Sequence, residues 1–198
     1  MKHRIFVAIN LPEKIKESLV QIGSKWPELP CRWTKAENLH ITLAFLGYLS
    51  DEEVLEVCKI VKEVSLRNSP FFIKLNRIIY GPAQQSPKMV WVEGEKNENF
   101  AKLQKDLENS LLSATDAEGA DREISHNIKN RFFIPHITIA RLRTWEFRSM
   151  ELDERPDINE EIDLNFQVES IEAMESDLKK RGPEYTILES VNLGLNND

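Results

Sequence analysis

Two short stretches hold the residue types and spacing best suited to chemistry. His40-Ile41-Thr42-Leu43-Ala44 and His136-Ile137-Thr138-Ile139-Ala140 each present a histidine, an apolar residue, a threonine and a second apolar residue. They lie 96 positions apart, from 40 to 136. A histidine titrates near neutrality and can take or give a proton without large tuning. Two histidines on opposite sides of one phosphorus suit in-line displacement: one removes a proton from the attacking oxygen and the other protonates the leaving oxygen. Threonine hydroxyls can hold the non-bridging oxygens and meet charge that grows in the transition state. One copy alone is the pattern of any half-buried strand histidine. Two copies in equivalent places are a candidate site.

The elements around these stretches have to bring them together. Side chains alternate faces along a strand, so His and Thr of each copy share one face and the apolar residues take the other. Residues 4–10, Arg-Ile-Phe-Val-Ala-Ile-Asn, predict a buried strand. Pro12 and Glu13 open a helix to about Lys25, which Pro27 and Pro30 end. A short strand is predicted at 31–34, and the first His-x-Thr strand ends at Gly47. Ser50 with Glu53 forms a capping-box pattern for a helix to about Leu66. Strands are predicted over 71–80 and 88–93, and Asn97 caps a helix to Leu112 with Phe100, Leu103, Leu107 and Leu111 on one stripe. The polar run 113–130 predicts a surface loop. Beyond the second His-x-Thr strand, 136–142, come an acidic connection containing Pro156, a strand over 164–174, a turn over 178–183 and a last strand over 185–191.

An internal repeat runs through this order. Phe6-Val7-Ala8, a helix, His-x-Thr and the Phe71 strand parallel Trp91-Val92-Glu93, a helix, His-x-Thr and the Phe166 strand. The offsets are 85 (6 to 91), 96 (40 to 136) and 95 (71 to 166), so one insertion in the 113–130 loop accounts for the change. Such a repeat predicts an α+β molecule with pseudo-twofold symmetry, a single two-lobed domain over 1–198 with the two His-x-Thr strands facing each other across a boundary cleft. Symmetry fails at Arg141, whose matching position holds Phe45. Arg141 is a candidate phosphate partner, but it lies five after His136 and points to the opposite face of a regular strand; a twist, a bulge or the strand end could bring it round.

Composition excludes several classes. At 41% hydrophobic and 30% charged the chain is globular, and a net charge of −7 argues against non-specific coating of nucleic acid. Locally, residues 121–148 carry six basic side chains against three acidic ones, so a polyanion entering beside the second motif is expected. No run of about 18 apolar residues predicts a membrane span. The apolar run at 5–9 stops at Asn10, so secretion is not expected, and two isolated cysteines, Cys31 and Cys58, suit a reducing cytoplasm. Four histidines without compact ligand spacing predict no metal, and no cofactor is expected. His3 and His126 are expected to be solvated, and Trp33, Phe45, Phe132 and Phe133 to serve as core, with one of them free to stack on a base.

The opening Arg4-Ile5-Phe6-Val7-Ala8-Ile9-Asn10-Leu11-Pro12, the block from Trp33-Thr34 to His40-Ile41-Thr42-Leu43-Ala44-Phe45-Leu46-Gly47, and Pro135-His136-Ile137-Thr138-Ile139-Ala140-Arg141 together resemble the 2H phosphoesterase superfamily. Within it they resemble the LigT-like (ThpR) RNA 2′,3′-cyclic phosphodiesterases, also called 2′-5′ RNA ligases. The resemblance implies a bilobal fold of antiparallel sheets with outer helices and a central cleft. It implies hydrolysis of RNA ends bearing a 2′,3′-cyclic phosphate to 2′-phosphomonoesters, with His136 as proton acceptor, His40 as proton donor, and Thr42, Thr138 and Arg141 on the phosphate. Attack by a 5′-hydroxyl end in place of water implies 2′-5′ ligation without ATP. Expected partners are RNA ends, with no membrane, and the chain is expected to act as a monomer. Phosphodiester hydrolysis on another cyclic or 2′-5′ nucleotide, or RNA binding without catalysis, are the alternatives the residues leave open.

Overall fold

The structure, a computed structural model, describes residues 2–82, 86–118, 134–179 and 182–194. Its strands are β1 (His3–Asn10), β2 (Cys31–Trp33), β3 (His40–Leu49), β4 (Phe71–Gly81), β5 (Met89–Gly94), β6 (His136–Leu142), β7 (Asn159–Val168), β8 (Ser170–Lys179) and β9 (Gly182–Asn192). Its helices are α1 (Glu13–Ile22), α2 (Asp51–Arg67), α3 (Glu98–Glu118) and α4 (Thr144–Ser149), with single 3₁₀ turns at Gly23–Lys25 and Ala36–Asn38.

The strands run in the order β7-β4-β5-β6-β3-β1-β8-β9, with β2 beside β6. Every pairing is antiparallel. Two halves are evident, β7-β4-β5-β6 and β3-β1-β8-β9, and they meet through one residue pair, Ile41↔Ile137. Beyond that pair β3 and β6 diverge. Next to β6 the gap is taken by β2, which pairs over Cys31↔Leu142 to Trp33↔Ala140. Next to β3 the side chain of Gln104, on α3, donates to the Leu43 carbonyl at 3.3 Å.

The sheet order revises the repeat. The strand beside β5 is β4, and the strand beside β1 is β8. The counterpart of the Phe71 strand is therefore β8, not the Phe166 strand, which pairs directly with β4 (Ile73↔Phe166). Each repeat thus lends its third strand to the other half. The predicted strand 164–174 is two strands divided at Glu169, because there the chain leaves one half and enters the other. Both pieces are strand-forming, so no change of propensity marks the crossing.

Local signals place the helices. The Ser50 side chain accepts from the Glu53 amide and Glu53 from the Ser50 amide, the predicted capping box, and Asn97 Oδ1 accepts from the Phe100 amide at 2.9 Å. Helix α3 continues past Leu112 to Glu118, since no proline or glycine occurs before Gly119. The predicted 113–130 loop therefore begins as helix, and its part from 119 lies outside the described residues. Helix α4 was hidden in the polar connection; its six residues bury one large side chain, Phe147. Strand β3 passes Gly47 and runs to Leu49, with Gly47 at a φ of 82° that suits glycine.

The core lies between the sheet and the helices. Ile5, Val7 and Ile9 of β1, Ile41 and Leu43 of β3, and Ile137 and Ile139 of β6 join Leu19, Val61, Leu103 and Leu107 in one cluster. Phe6 and Ala8, on the other face of β1, pack instead with Met174 and Tyr185. Burial on both faces explains why residues 5–9 read as an unbroken apolar run. The second, smaller cluster is one wall of the cleft.

Candidate active site

The Ile41↔Ile137 pair sets the site. In antiparallel register it brings His40 beside Thr138 and Thr42 beside His136, with all four side chains on the face opposite the core. The halves of the motif are not across open space from each other; they are neighbours in one sheet at the point where it splits. All four line a cleft of about 1000 Å³.

Each motif is followed by a bulge. On β1 and β3 the register passes from Ala8↔Thr42 to Val7↔Ala44, leaving Leu43 extra. On β5 and β6 it passes from Trp91↔Thr138 to Val90↔Ala140, leaving Ile139 extra. A bulge reverses the alternation beyond it. Phe45 and Arg141, three residues after their threonines, are thereby turned onto the face of His40 and His136, and both line the cleft. Of the ways that could bring Arg141 round, the structure has the bulge, and it has one in both repeats.

The two imidazoles are held alike. His40 Nδ1 donates to the Asn38 carbonyl at 2.8 Å, and His136 Nδ1 to the Ile134 carbonyl at 3.2 Å. A carbonyl only accepts, so Nδ1 carries the proton of each neutral ring and Nε2 is its acceptor. Thr42 Oγ1 donates to His40 Nε2 at 3.0 Å. Each ring also rests on an aromatic from the neighbouring strand: Phe6 under His40 with centroids 5.0 Å apart, Trp91 under His136 at 4.3 Å. Tyr185 meets His40 edge-on at 5.3 Å. Burial lowers the pKa of both histidines, and His40, which also feels Arg141 and His136, falls to about 4. Both rings are therefore neutral near neutral pH.

The cleft is a cationic place in an acidic chain. Arg4, Arg32, Lys35 and Arg141 line it, and among the described residues no Asp or Glu does. The positive charge expected from 121–148 enters through Arg141; Arg143 turns outward to Glu146 at 3.1 Å, and residues 121–133 lie outside the described residues. Three of the four cations come instead from β1, β2 and the segment after β2.

Trp33 and Phe45 line the cleft, while Phe132, Phe133 and His126 lie outside the described residues. His3 is not freely solvated: it bridges Glu175 and Asp51, both at 2.7 Å, on the face of β1 away from the site, and both contacts raise its pKa. Burial pushes the Cys31 thiol up to about 11, which makes it a poor nucleophile. Among the described residues no group of three or more His, Cys, Asp or Glu is placed to hold a metal ion, and no described helix is long and apolar enough to cross a membrane. Phe6 and Trp91 were visible as repeat partners at offset 85 but gave no sign of lying under the histidines. Tyr185 and Ser176 reach the cleft from β9 and β8, far from either motif in sequence.

Known proteins are similar to this chain in sequence and fold. The model of the family described as LigT-like phosphoesterase matches residues 9–92. The chain is 29% identical to the RNA 2′,3′-cyclic phosphodiesterase of Aquifex aeolicus, covering 96% of this chain and 97% of that one. It is 27% identical to the enzyme of that name from Methanocaldococcus jannaschii, over 93% and 98%. A crystal structure from Thermus thermophilus superposes with a TM-score of 0.81 at 27% identity, covering 98% of this chain and 100% of that one. The structure of E. coli LigT complexed with 3′-AMP has the same fold, with a TM-score of 0.74 at 24% identity over 98% and 99% of the two chains. With its two His-x-Thr strands side by side in one cleft, the chain is similar in sequence and in fold to the LigT-like phosphoesterases.

Proposed function

We propose that this chain is an RNA 2′,3′-cyclic phosphodiesterase that hydrolyses the terminal cyclic phosphate to a 2′-phosphomonoester without a metal. One observation carries the reading: the Ile41↔Ile137 register sets two histidines and two threonines on one face, with both Nε2 atoms free of the carbonyl ties at Nδ1. The relatives' names supply the substrate class, an RNA end.

In the proposed reaction His136 Nε2 takes a proton from water, whose oxygen attacks phosphorus. The bond from phosphorus to the 3′ oxygen breaks, and His40 Nε2 gives that oxygen its proton. Water is consumed, the 2′ ester is kept, and solvent returns the proton from His136 and restores the one lost by His40. His136 begins neutral, as a base must. His40 needs a proton, and the cyclic phosphate favours it, because its negative charge beside the ring opposes both the burial and the Arg141 repulsion that disfavour the imidazolium. Once His40 is protonated its Nε2 donates, and the Thr42 hydroxyl turns from the ring to a non-bridging oxygen. Thr138 and Arg141, which contact the sulfur of Met89 at 3.8 and 3.6 Å, take the other oxygens. A 5′-hydroxyl in the place of water gives a 2′-5′ linkage by the same steps. A single two-lobed domain, monomeric and cytoplasmic, suffices for this chemistry.

The test is incubation of the purified protein, in EDTA, with an RNA ending in 2′,3′-cyclic phosphate. The expected product is the 2′-phosphate end, absent with the His40→Ala, His136→Ala double variant. Equal conversion by the double variant overturns the reading, and a 3′-phosphate product overturns the assigned leaving group.

A further inference from the structure

We propose that Arg32 opposes Arg141 to make a second anion subsite, one that takes the phosphodiester next to the reacting phosphate in a nucleotide chain. This deepens the reading above and rests on it for the identity of the first phosphate. Arg32 and Arg141 are direct cross-strand partners in the β2–β6 pair. Residues so paired project from the same face of a sheet, and like charges there repel. Neither guanidinium has a carboxylate partner among the described residues; Arg141 touches the Met89 sulfur, and Arg32 reaches over β9, where its Nη1 lies 3.4 Å from the position a Cβ on Gly182 would take. In a chain with 33 acidic residues, two such unneutralised cations side by side in a cleft are a place for anions. Lys35 differs, since it pairs with Glu37 at 3.2 Å. Arg4 differs too, because it comes from β1 and has no cation opposite it: its cross-strand partner is Tyr48.

One phosphate bound at the Thr42 and Thr138 hydroxyls is served by Arg141 alone. The repulsion between the two arginines is relieved fully when a second phosphate, one step along the chain, lies against Arg32. Its position across from Arg141 on β2 and against Gly182 of β9 sets the direction: the chain leaves the reacting group across β2 and toward the β8–β9 hairpin. The ligand class is thus an oligonucleotide end of at least two phosphates, preferred over a cyclic mononucleotide.

The experiment compares adenosine 2′,3′-cyclic phosphate with adenylyl-(3′→5′)-adenosine 2′,3′-cyclic phosphate, which differ by one nucleotide and one phosphate. For the wild type kcat/KM favours the dinucleotide. In Arg32→Gln that preference falls about tenfold or more, chiefly through KM for the dinucleotide. The salt dependence of dinucleotide binding becomes less steep by about 0.7 in the log–log slope. Arg32→Lys, which keeps the charge, restores the slope. Binding of both compounds to the His40→Ala, His136→Ala background separates the two ideas. A dinucleotide preference there that Arg32→Gln removes supports the subsite even if the wild type turns over neither compound, a result that overturns the proposed activity alone. An unchanged preference and slope in Arg32→Gln overturn the subsite whatever the activity.

Discussion

Gly81→Ala is a perturbation of the site made from outside it. Gly81 touches neither histidine, yet a Cβ on it would lie 2.2 Å from Trp91 Cδ2 and 2.6 Å from both Cε2 and Cε3. Carbon atoms settle at roughly 3.5 Å or more, so the indole must retreat by about 1.3 Å. That indole is the platform of His136, with ring centroids 4.3 Å apart at 31°. The platform holds the imidazole, which is also tied by the 3.2 Å bond to the Ile134 carbonyl, and its face favours the imidazolium of the proposed reaction, in which His136 accepts a proton. A displacement of this size costs a reaction on the order of a hundredfold, and the overpacking costs the fold about 1–3 kcal/mol. The assay is kcat/KM on an RNA cyclic-phosphate end beside urea unfolding, with indole-to-imidazole proton contacts followed by NMR. Trp91→Phe, which keeps a smaller aromatic face and adds no clash, is expected to fall between wild type and Gly81→Ala in rate. A folded Gly81→Ala protein with wild-type kcat/KM refutes the reasoning.

Two further expectations concern the histidines. The pKa of His40 is lowered from 6.5 to about 4 in the folded chain, so the unfolded chain binds the extra proton between those values and stability is lost as pH falls through them. The unfolding free energy of the wild type, measured against His40→Gln, is therefore expected to drop by about 3 kcal/mol from pH 6.5 to 4 and to stay level above 6.5; parallel curves contradict it. The donor role proposed for His40 is tested at the leaving group. Replacing the 3′ oxygen of the cyclic phosphate by sulfur gives a thiolate that leaves unprotonated, so His40→Ala should regain most of its rate on that substrate and His136→Ala should not. The reverse pattern exchanges the two roles.

Much of this was legible because it is local. The capping box at Ser50, the Asn97 cap and the alternation of His40-Ile41-Thr42 are set by neighbours in sequence. What stayed hidden depends on pairing between distant segments. Arg141 could be named as a candidate, but its orientation turns on the bulge at Ile139, which neighbouring β5 reveals and composition does not. Arg32 sits in a three-residue strand, and its meaning appears only when β2 is laid against Arg141. The exchange of third strands between the halves was invisible, since residues 159–179 favour strand on both sides of Glu169. Trp91 was seen as a repeat partner of Phe6; its place beneath His136 depends on a gap at Gly81, on another strand.

In the proposed reaction the two imidazoles act on one phosphorus from opposite sides. A crystal structure of the protein with uridine 2′,3′-cyclic vanadate, whose five-coordinate vanadium imitates the in-line transition state, tests this most directly. His136 Nε2 and His40 Nε2 are expected within hydrogen-bond distance of the two apical oxygens, with Thr42, Thr138 and Arg141 on the equatorial ones. Vanadium held by one histidine alone, or bound with the two rings on the same side, contradicts it.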